Sequence, residues 1–344
     1  MDLVLIQLHT MKNKTTILIP ERLSETLVEK KVFCKDYSIF SPNALDISDI
    51  PNELWASCAG MLVWHDFEYT REIISKLSRC KGIVRIGTGF DNIDLEAASQ
   101  KGIVVSNVPD YGTNDVADHT WALILSLERG ILRFNHSMLE KGPWSWELGT
   151  NLERIQGKTL GIIGLGRIGT AVAMRGKAFG MKVVFYDPYI SIGIEKSLNI
   201  DRVHQLTDLL VESEIVTIHT PLTDETKGMV DVEFFNEIKS GSSIYNTARG
   251  EIIVMDDLYI ALKENKIKWA GLDVLETEPI DYNHPLIKAW CEDAKWISGR
   301  LVITPHAAFY NKQSYNEMRR KAAEELKRIL ENNNPLNQVN KLVV

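Results

Sequence analysis

The sequence predicts an α/β fold built from two doubly wound domains, each around a parallel sheet. Three observations predict it. Short apolar runs of strand length alternate with helical patterns, and they do so twice along the chain. A glycine triplet, Gly164-Leu165-Gly166-Arg167-Ile168-Gly169, joins one such run to one such helix. The 344 residues suffice for two domains of roughly 100–200 residues each.

The first series places strands at Thr15–Ile19, Met61–Trp64, Ile83–Ile86 and Ile103–Ser106. These are near-continuous apolar runs, as strands buried on both faces require. Helical patterns lie between them at Thr70–Cys80 and Leu95–Gln100. A long helix is expected from Asn114 to about Leu139, opening on Asn and Asp as cap-type residues. Val116, Trp121, Leu123, Ile124 and Leu127 supply its apolar face. A polar loop with Trp144 and Trp146 follows.

The second series places strands at Thr159–Gly164, Val183–Tyr186, Ile215–His219, Ser243–Asn246, Gly271–Val274 and Leu301–Thr304. Helices are expected at Ile168–Phe179, Val232–Ile238, Asp256–Glu264 and Asn316–Glu331. Asp281–Arg300 has no clean period and reads as a long surface loop. Met1–Thr10 holds a short apolar stretch with no basic flank and no cleavage site, so it does not read as a signal peptide. It is either an added edge strand or the product of an upstream start.

Composition narrows the function classes. Hydrophobic residues are 44% and charged residues 25%, ordinary globular values that exclude a disordered chain. Acidic residues outnumber basic ones 46 to 39, which disfavours nucleic acid as a general partner. No apolar run approaches the roughly 18–20 residues of a membrane span. Cys34, Cys58, Cys80 and Cys291 form no CxxC pair. They read as reduced thiols of a cytoplasmic protein, with no metal site.

The glycine triplet gains meaning from its context. It follows the strand TLGIIG and opens a helix. Gly164 would make the tight turn, and Gly166 would let the backbone approach a pyrophosphate. Gly169 would let helix and strand pack closely. The next strand ends in Asp187, 18 residues past the last glycine (187 − 169). An acid at that spacing would accept hydrogen bonds from ribose hydroxyls and repel a 2′-phosphate. NAD(H) is therefore expected over NADP(H).

Hydride chemistry on a nicotinamide also requires groups that hold a substrate and move one proton. Three expected strand ends offer them. Arg249 follows Asn246-Thr247-Ala248, and a guanidinium can grip a carboxylate in a fork. Asp273 lies at the end of the next strand and Glu278 follows it, and His306 follows Thr304-Pro305. Histidine suits acid–base work near neutrality, and a nearby carboxylate would favour its protonated form. Each also has an ordinary structural reading: a surface ion pair, a solvated acid, a loop histidine.

At these residues the chain resembles the D-isomer-specific 2-hydroxyacid dehydrogenase family, from about Ile17 to Leu330. The motifs are GTGFDNIDLEAA, GIIGLGRIG, FYDPY, IHTPLT, NTARG, LDVLETEP and TPHAA, in that order. Within the family it looks most like the branch of the C-terminal-binding proteins, on VRIGTGFDNID, KAFGMKVVFYDPY and HAAFY. The resemblance implies a Rossmann NAD-binding domain, 113–308, inserted in a flavodoxin-like substrate domain, 1–112 plus 309–344. It also implies a cleft site with hinges near Pro109–Asn114 and His306–Tyr310.

It further implies an enzyme that interconverts a small 2-keto acid and a D-2-hydroxy acid. Arg249 would orient the keto acid, His306 would be the acid/base and Glu278 would tune His306. Asp273 would bond the nicotinamide carboxamide. Thr88, Gly164, Gly166, Arg167, Ile168, Gly169, Asp187, His219, Thr220, Pro221, Thr226, Thr247 and Ala248 would line the cofactor. Trp64, Arg85, Gly87, Thr88, Gly89 and Phe309 would line the substrate. Members acting on formate carry Gln where this chain has Glu278, so formate is disfavoured. Members are usually homodimers, and Trp144 and Trp146 fit such a surface.

Two departures stand out. Corepressor-type members have Trp where this chain has Phe309. The interval from Glu278 to His306, 28 residues (306 − 278), is longer than in the close relatives. The likeness to corepressors supplies a second reading, an NAD-sensing protein-interaction module.

Overall fold

The computed structural model describes residues 15–21 and 23–342. The apolar stretch at Met1–Thr10 lies outside the described residues. The chain divides into two compact units, one running to Gly112 and resuming at Asn311, the other Thr113–Tyr310.

In the first unit, β1 (Thr15–Leu18), β2 (Tyr37–Phe40), β3 (Gly60–Val63), β4 (Gly82–Arg85) and β5 (Val104–Ser106) form one parallel sheet. Their order is β2-β1-β3-β4-β5. β3 and β4 are buried at every position; the run of β3 is apolar throughout, and β4 ends on the buried Arg85. The helix Lys312–Leu330 covers this sheet with Met318, Ala322, Ala323 and Leu326. Its cap is strong: the Asn311 side chain accepts from the Gln313 and Ser314 amides, and Ser314 Oγ accepts in return from the Asn311 amide. Arg319, 1% exposed, is held by Glu29 and Glu25, each at 2.7 Å.

In the second unit, a parallel sheet has the order β12-β11-β10-β9-β6-β7-β8. Its strands are β6 (Thr159–Ile163), β7 (Lys182–Tyr186), β8 (Asp201–Arg202), β9 (Ile215–Ile218), β10 (Ser242–Asn246), β11 (Ile267–Leu272) and β12 (Leu301–Ile303). The chain winds outward from β6 through β7 and β8. It then crosses back to β9 and winds the other way. The C-terminal ends of β6 and β9 thus flank a topological switch point, where doubly wound sheets bind ligands.

Three expectations about elements need correction. The region 114–139 is two helices, Thr113–Glu128 and Ile131–Leu139. Gly130, at φ +63°, turns the chain between them. The apolar pattern runs on through Ile131 and Leu132, which conceals the break, but those residues are exposed. The supposed loop Asp281–Arg300 contains the helix Pro285–Cys291, with Leu286 and Ile287 buried. His284 caps it by accepting from the Leu286 amide through Nδ1, and proline pre-sets its first turn. Two turns are too short to show a period. The strand expected at Gly271–Val274 is Ile267–Leu272, because pairing with β10 starts at Ile267. Among the described residues, no helix is long and apolar enough to cross a membrane.

Candidate functional site: strand ends of the dinucleotide unit

The glycine turn is built as its sequence suggests. Gly164 sits at φ +89°, a region L side chains avoid. A Cβ on Gly169 would lie 2.1 Å from the Gly164 carbonyl oxygen, so only glycine lets helix Arg167–Ala178 seat against β6. A Cβ on Gly166 would meet nothing within 4 Å, so the chain there faces open space. Gly166 is also the helix N-cap and provides no side-chain cap. The first helical amides are therefore available to an anion.

Asp187, just past β7, is tied to this turn. Its Oδ2 accepts from the Leu165 amide at 2.9 Å. Its Oδ1 accepts from the Tyr189 and Ile190 amides at 2.9 and 3.2 Å. A carboxylate has about four acceptor positions, so capacity remains for a ligand hydroxyl. Arg202 on β8 lies nearby, but its guanidinium is engaged with Glu195 and with the carbonyls of Asp187, Ile190 and Ser191. It also lies over the Phe185 ring at 4.7 Å. That leaves it poorly placed to receive a 2′-phosphate.

Across the switch point, His219 follows β9. Its Nε2 is 2.9 Å from Thr217 Oγ1, and burial pushes its pKa down to about 3. The ring is neutral at pH 7. Thr220 follows, and its buried hydroxyl has no hydrogen-bond partner among the described residues. Thr226 folds the Pro221–Thr226 loop on itself, donating to Pro221 O and accepting from the Thr223 amide. A hydrogen bond from Tyr189 to Glu225 links this loop to the one after β7. These features, with the open Gly166 turn, fit a bound dinucleotide.

The remaining groups stand at the ends of β10, β11 and β12, three adjacent parallel strands. After β10, Asn246 is fully buried and braces the next loop. Its Oδ1 accepts from the Ala248 amide and its Nδ2 donates to Arg249 O. Thr247 meets Thr120 through their hydroxyls at 2.9 Å. Arg249 Nη1 donates to Ala248 O at 2.8 Å. A Cβ on Gly250 would fall 1.8 Å from Leu275 O, so the Arg249 loop passes directly against the loop that carries Glu278.

Glu278 then reaches His306. His306 Nδ1 is 2.8 Å from Glu278 Oε2, and Glu278 Oε1 accepts from the Leu275 amide. With Nδ1–H given to the carboxylate, Nε2 is the ring atom on the side away from Glu278. Asp273 organises the turn around His306. Its Oδ1 accepts from Thr304 Oγ1 at 2.6 Å and from the Ala307 amide at 2.9 Å. Its Oδ2 accepts from the Ala308 amide, and its carbonyl accepts from the His306 amide. Phe309 is half-buried and lies edge-on to Tyr310.

Trp64, Arg85, Gly87, Thr88 and Gly89 belong to the first unit, at the ends of β3 and β4. Trp64 stacks on Tyr315 at 5.5 Å. Arg85 is 6% exposed, and its guanidinium folds across Gly87, where a Cβ would sit 1.4 Å from Nη1. Beside them the buried Glu21 accepts from Tyr69 Oη and the Trp64 amide. The sequence reading missed Glu21 and His119. The signal for His119 was present: it shares a helix face with the buried Val116, Thr120 and Leu123.

Fold and site together define a dinucleotide-binding protein of the doubly wound class. Residues 121–308 match the model of the D-isomer specific 2-hydroxyacid dehydrogenase NAD-binding domain. The chain is 38% identical over 280 residues to a glyoxylate reductase of Aeropyrum pernix, covering 79% of this chain and 80% of that protein. It is also 38% identical over 271 residues to a D-3-phosphoglycerate dehydrogenase of Methanocaldococcus jannaschii. That match covers 79% of this chain but only 49% of the relative, so the chain spans about half its length. A D-lactate dehydrogenase from Aquifex aeolicus, solved with NAD and lactic acid, superposes with a TM-score of 0.80 at 31% identity. That alignment covers 92% of this chain and 96% of that one. The chain belongs to the D-isomer-specific 2-hydroxyacid dehydrogenase family, and its cofactor is NAD.

Proposed function

We propose that this protein is an oxidoreductase that interconverts a 2-keto acid and a D-2-hydroxy acid, with His306 as the acid/base. The observation that carries the proposal is the 2.8 Å contact between His306 Nδ1 and Glu278 Oε2, on loops beside the Arg249 loop. NAD(H), when bound, supplies or accepts the hydride. The amides at the start of helix Arg167–Ala178 and the Asp187 carboxylate would hold its pyrophosphate and ribose. In reduction, His306 Nε2 gives a proton to the substrate oxygen. In oxidation it takes that proton back. Glu278 holds the ring in one orientation and balances its charge when both nitrogens are protonated. Arg249 supplies a permanent cation for the substrate's carboxylate and carbonyl oxygen. Asp273 shapes the turn carrying His306 and would face the carboxamide.

The test follows NADH absorbance while 2-keto acids are screened, with His306→Ala as control. Turnover well above that control is the expected result. If no acid exceeds it, the proposal falls. The same reading includes a cytoplasmic homodimer. Trp144 and Trp146 are 94% and 81% exposed, and the neighbouring helix Ile131–Leu139 exposes Ile131, Leu132 and Leu139. Exposed large apolar side chains of this kind favour association with a second copy.

A further inference from the structure

His119 lies outside the glycine turn and the loops after β10, β11 and β12, yet it meets the group that shapes the His306 turn. It stands on the helix Thr113–Glu128. Its Nε2 is 3.0 Å from Thr304 Oγ1 and 3.5 Å from Asp273 Oδ1. The proton arrangement follows from the partners. Thr304 Oγ1 donates to Asp273 Oδ1 in the 2.6 Å bond, which takes its single hydroxyl proton. The Thr304 oxygen must then accept, and His119 Nε2 must carry the donated hydrogen. This fixes the His119 tautomer with Nε2 protonated.

The chain of contacts continues inward. Asp273 is 1% exposed, and its two oxygens hold the Ala307 and Ala308 amides. Its carbonyl holds the His306 amide at 2.7 Å. His306 has φ +51°, a left-handed conformation that is strained for a non-glycine residue. Such a conformation persists only when its surroundings over-determine it. The hydrogen bonds from 306–308 to Asp273 do that, and His119 orients the Thr304 hydroxyl that pins Asp273 from the other side.

We propose that His119 is a positioning residue: its Nε2–H bond to Thr304 fixes Asp273, and through Asp273 the backbone that presents His306. The catalytic part of this inference rests on the function proposed above. The positional part does not.

The experiment compares His119→Ala and His119→Gln in the full-length protein. The glutamine amide can still donate to Thr304, whereas alanine cannot. Amide hydrogen exchange of the segment 304–310, followed by mass spectrometry, reads the positional effect without any substrate. Alanine is expected to speed exchange at 306–308 about tenfold, and glutamine to restore most of the protection. In turnover, alanine is expected to lower kcat about tenfold, with KM for the keto acid within twofold. Unchanged exchange in the alanine variant overturns the proposal. Equal losses in alanine and glutamine also overturn it, because they would show general packing only. If the wild type reduces no keto acid, the proposed function falls while hydrogen exchange still decides the role of His119.

Discussion

Glu21→Gln should remove a pH-dependent loss of stability. Glu21 is 1% exposed, and burial raises its pKa from 4.5 to about 7. Its Oε1 already accepts from Tyr69 Oη at 2.7 Å and from the Trp64 amide at 3.0 Å. Oε2 is buried with no hydrogen-bond partner among the described residues, so it is where the proton resides in the neutral form. Between pH 4.5 and 7 the folded state holds this proton more often than the unfolded state does. Stability therefore falls as pH rises through that window and levels off above it. A rise from 4.5 to about 7 corresponds to about 3.5 kcal/mol in total. Glutamine mimics the protonated acid, with its carbonyl in the place of Oε1. Urea unfolding at pH 5, 6, 7 and 8 measures the effect. The variant's stability relative to wild type should rise by about 3 kcal/mol from pH 5 to pH 8. A difference that stays constant across those four pH values would refute the assignment of a neutral buried Glu21.

Four further outcomes are expected. Glu278→Gln replaces a charge-assisted bond to His306 with a neutral one, a loss of about 1–2 kcal/mol, so kcat for keto acid reduction should drop about tenfold. Gly169→Ala drives a Cβ to 2.1 Å from Gly164 O and must push the helix off the turn; NADH Kd by fluorescence titration should rise at least about tenfold. Asp187→Ala should weaken NADH more than NADPH, and an unchanged preference in paired titrations would count against the ribose contact. Replacing Trp144 and Trp146 together by Ala should shift the proposed homodimer toward monomer in sedimentation velocity, with little change in thermal midpoint because both side chains are exposed.

Much of the fold was legible because local rules and tertiary structure agree. β3 and β6 are buried at every position, and their apolar runs say so directly. The glycine triplet worked for the same reason, since its spacing answers a steric demand within a few residues. Elements whose burial depends on distant partners were hidden. The edge strand β2 has only partly buried residues until Phe40, and β8 is two residues long. The helix Pro285–Cys291 buries Leu286 and Ile287 in a core assembled from β9, β10 and β11. No pattern within seven residues reports that core.

The sequence by itself determined the parallel α/β class, the glycine turn, Asp187 at its spacing, and the identity of Arg249, Glu278 and His306. Only the tertiary structure decided what these groups meet. Glu278 and His306 are 28 residues apart in the chain and 2.8 Å apart in space, because β11 and β12 are adjacent and parallel. Asp273 and His119 are 154 residues apart (273 − 119), yet both touch Thr304. Spacing along a chain encodes local sterics. Strand order decides which loops share an edge, and so which side chains can exchange a proton.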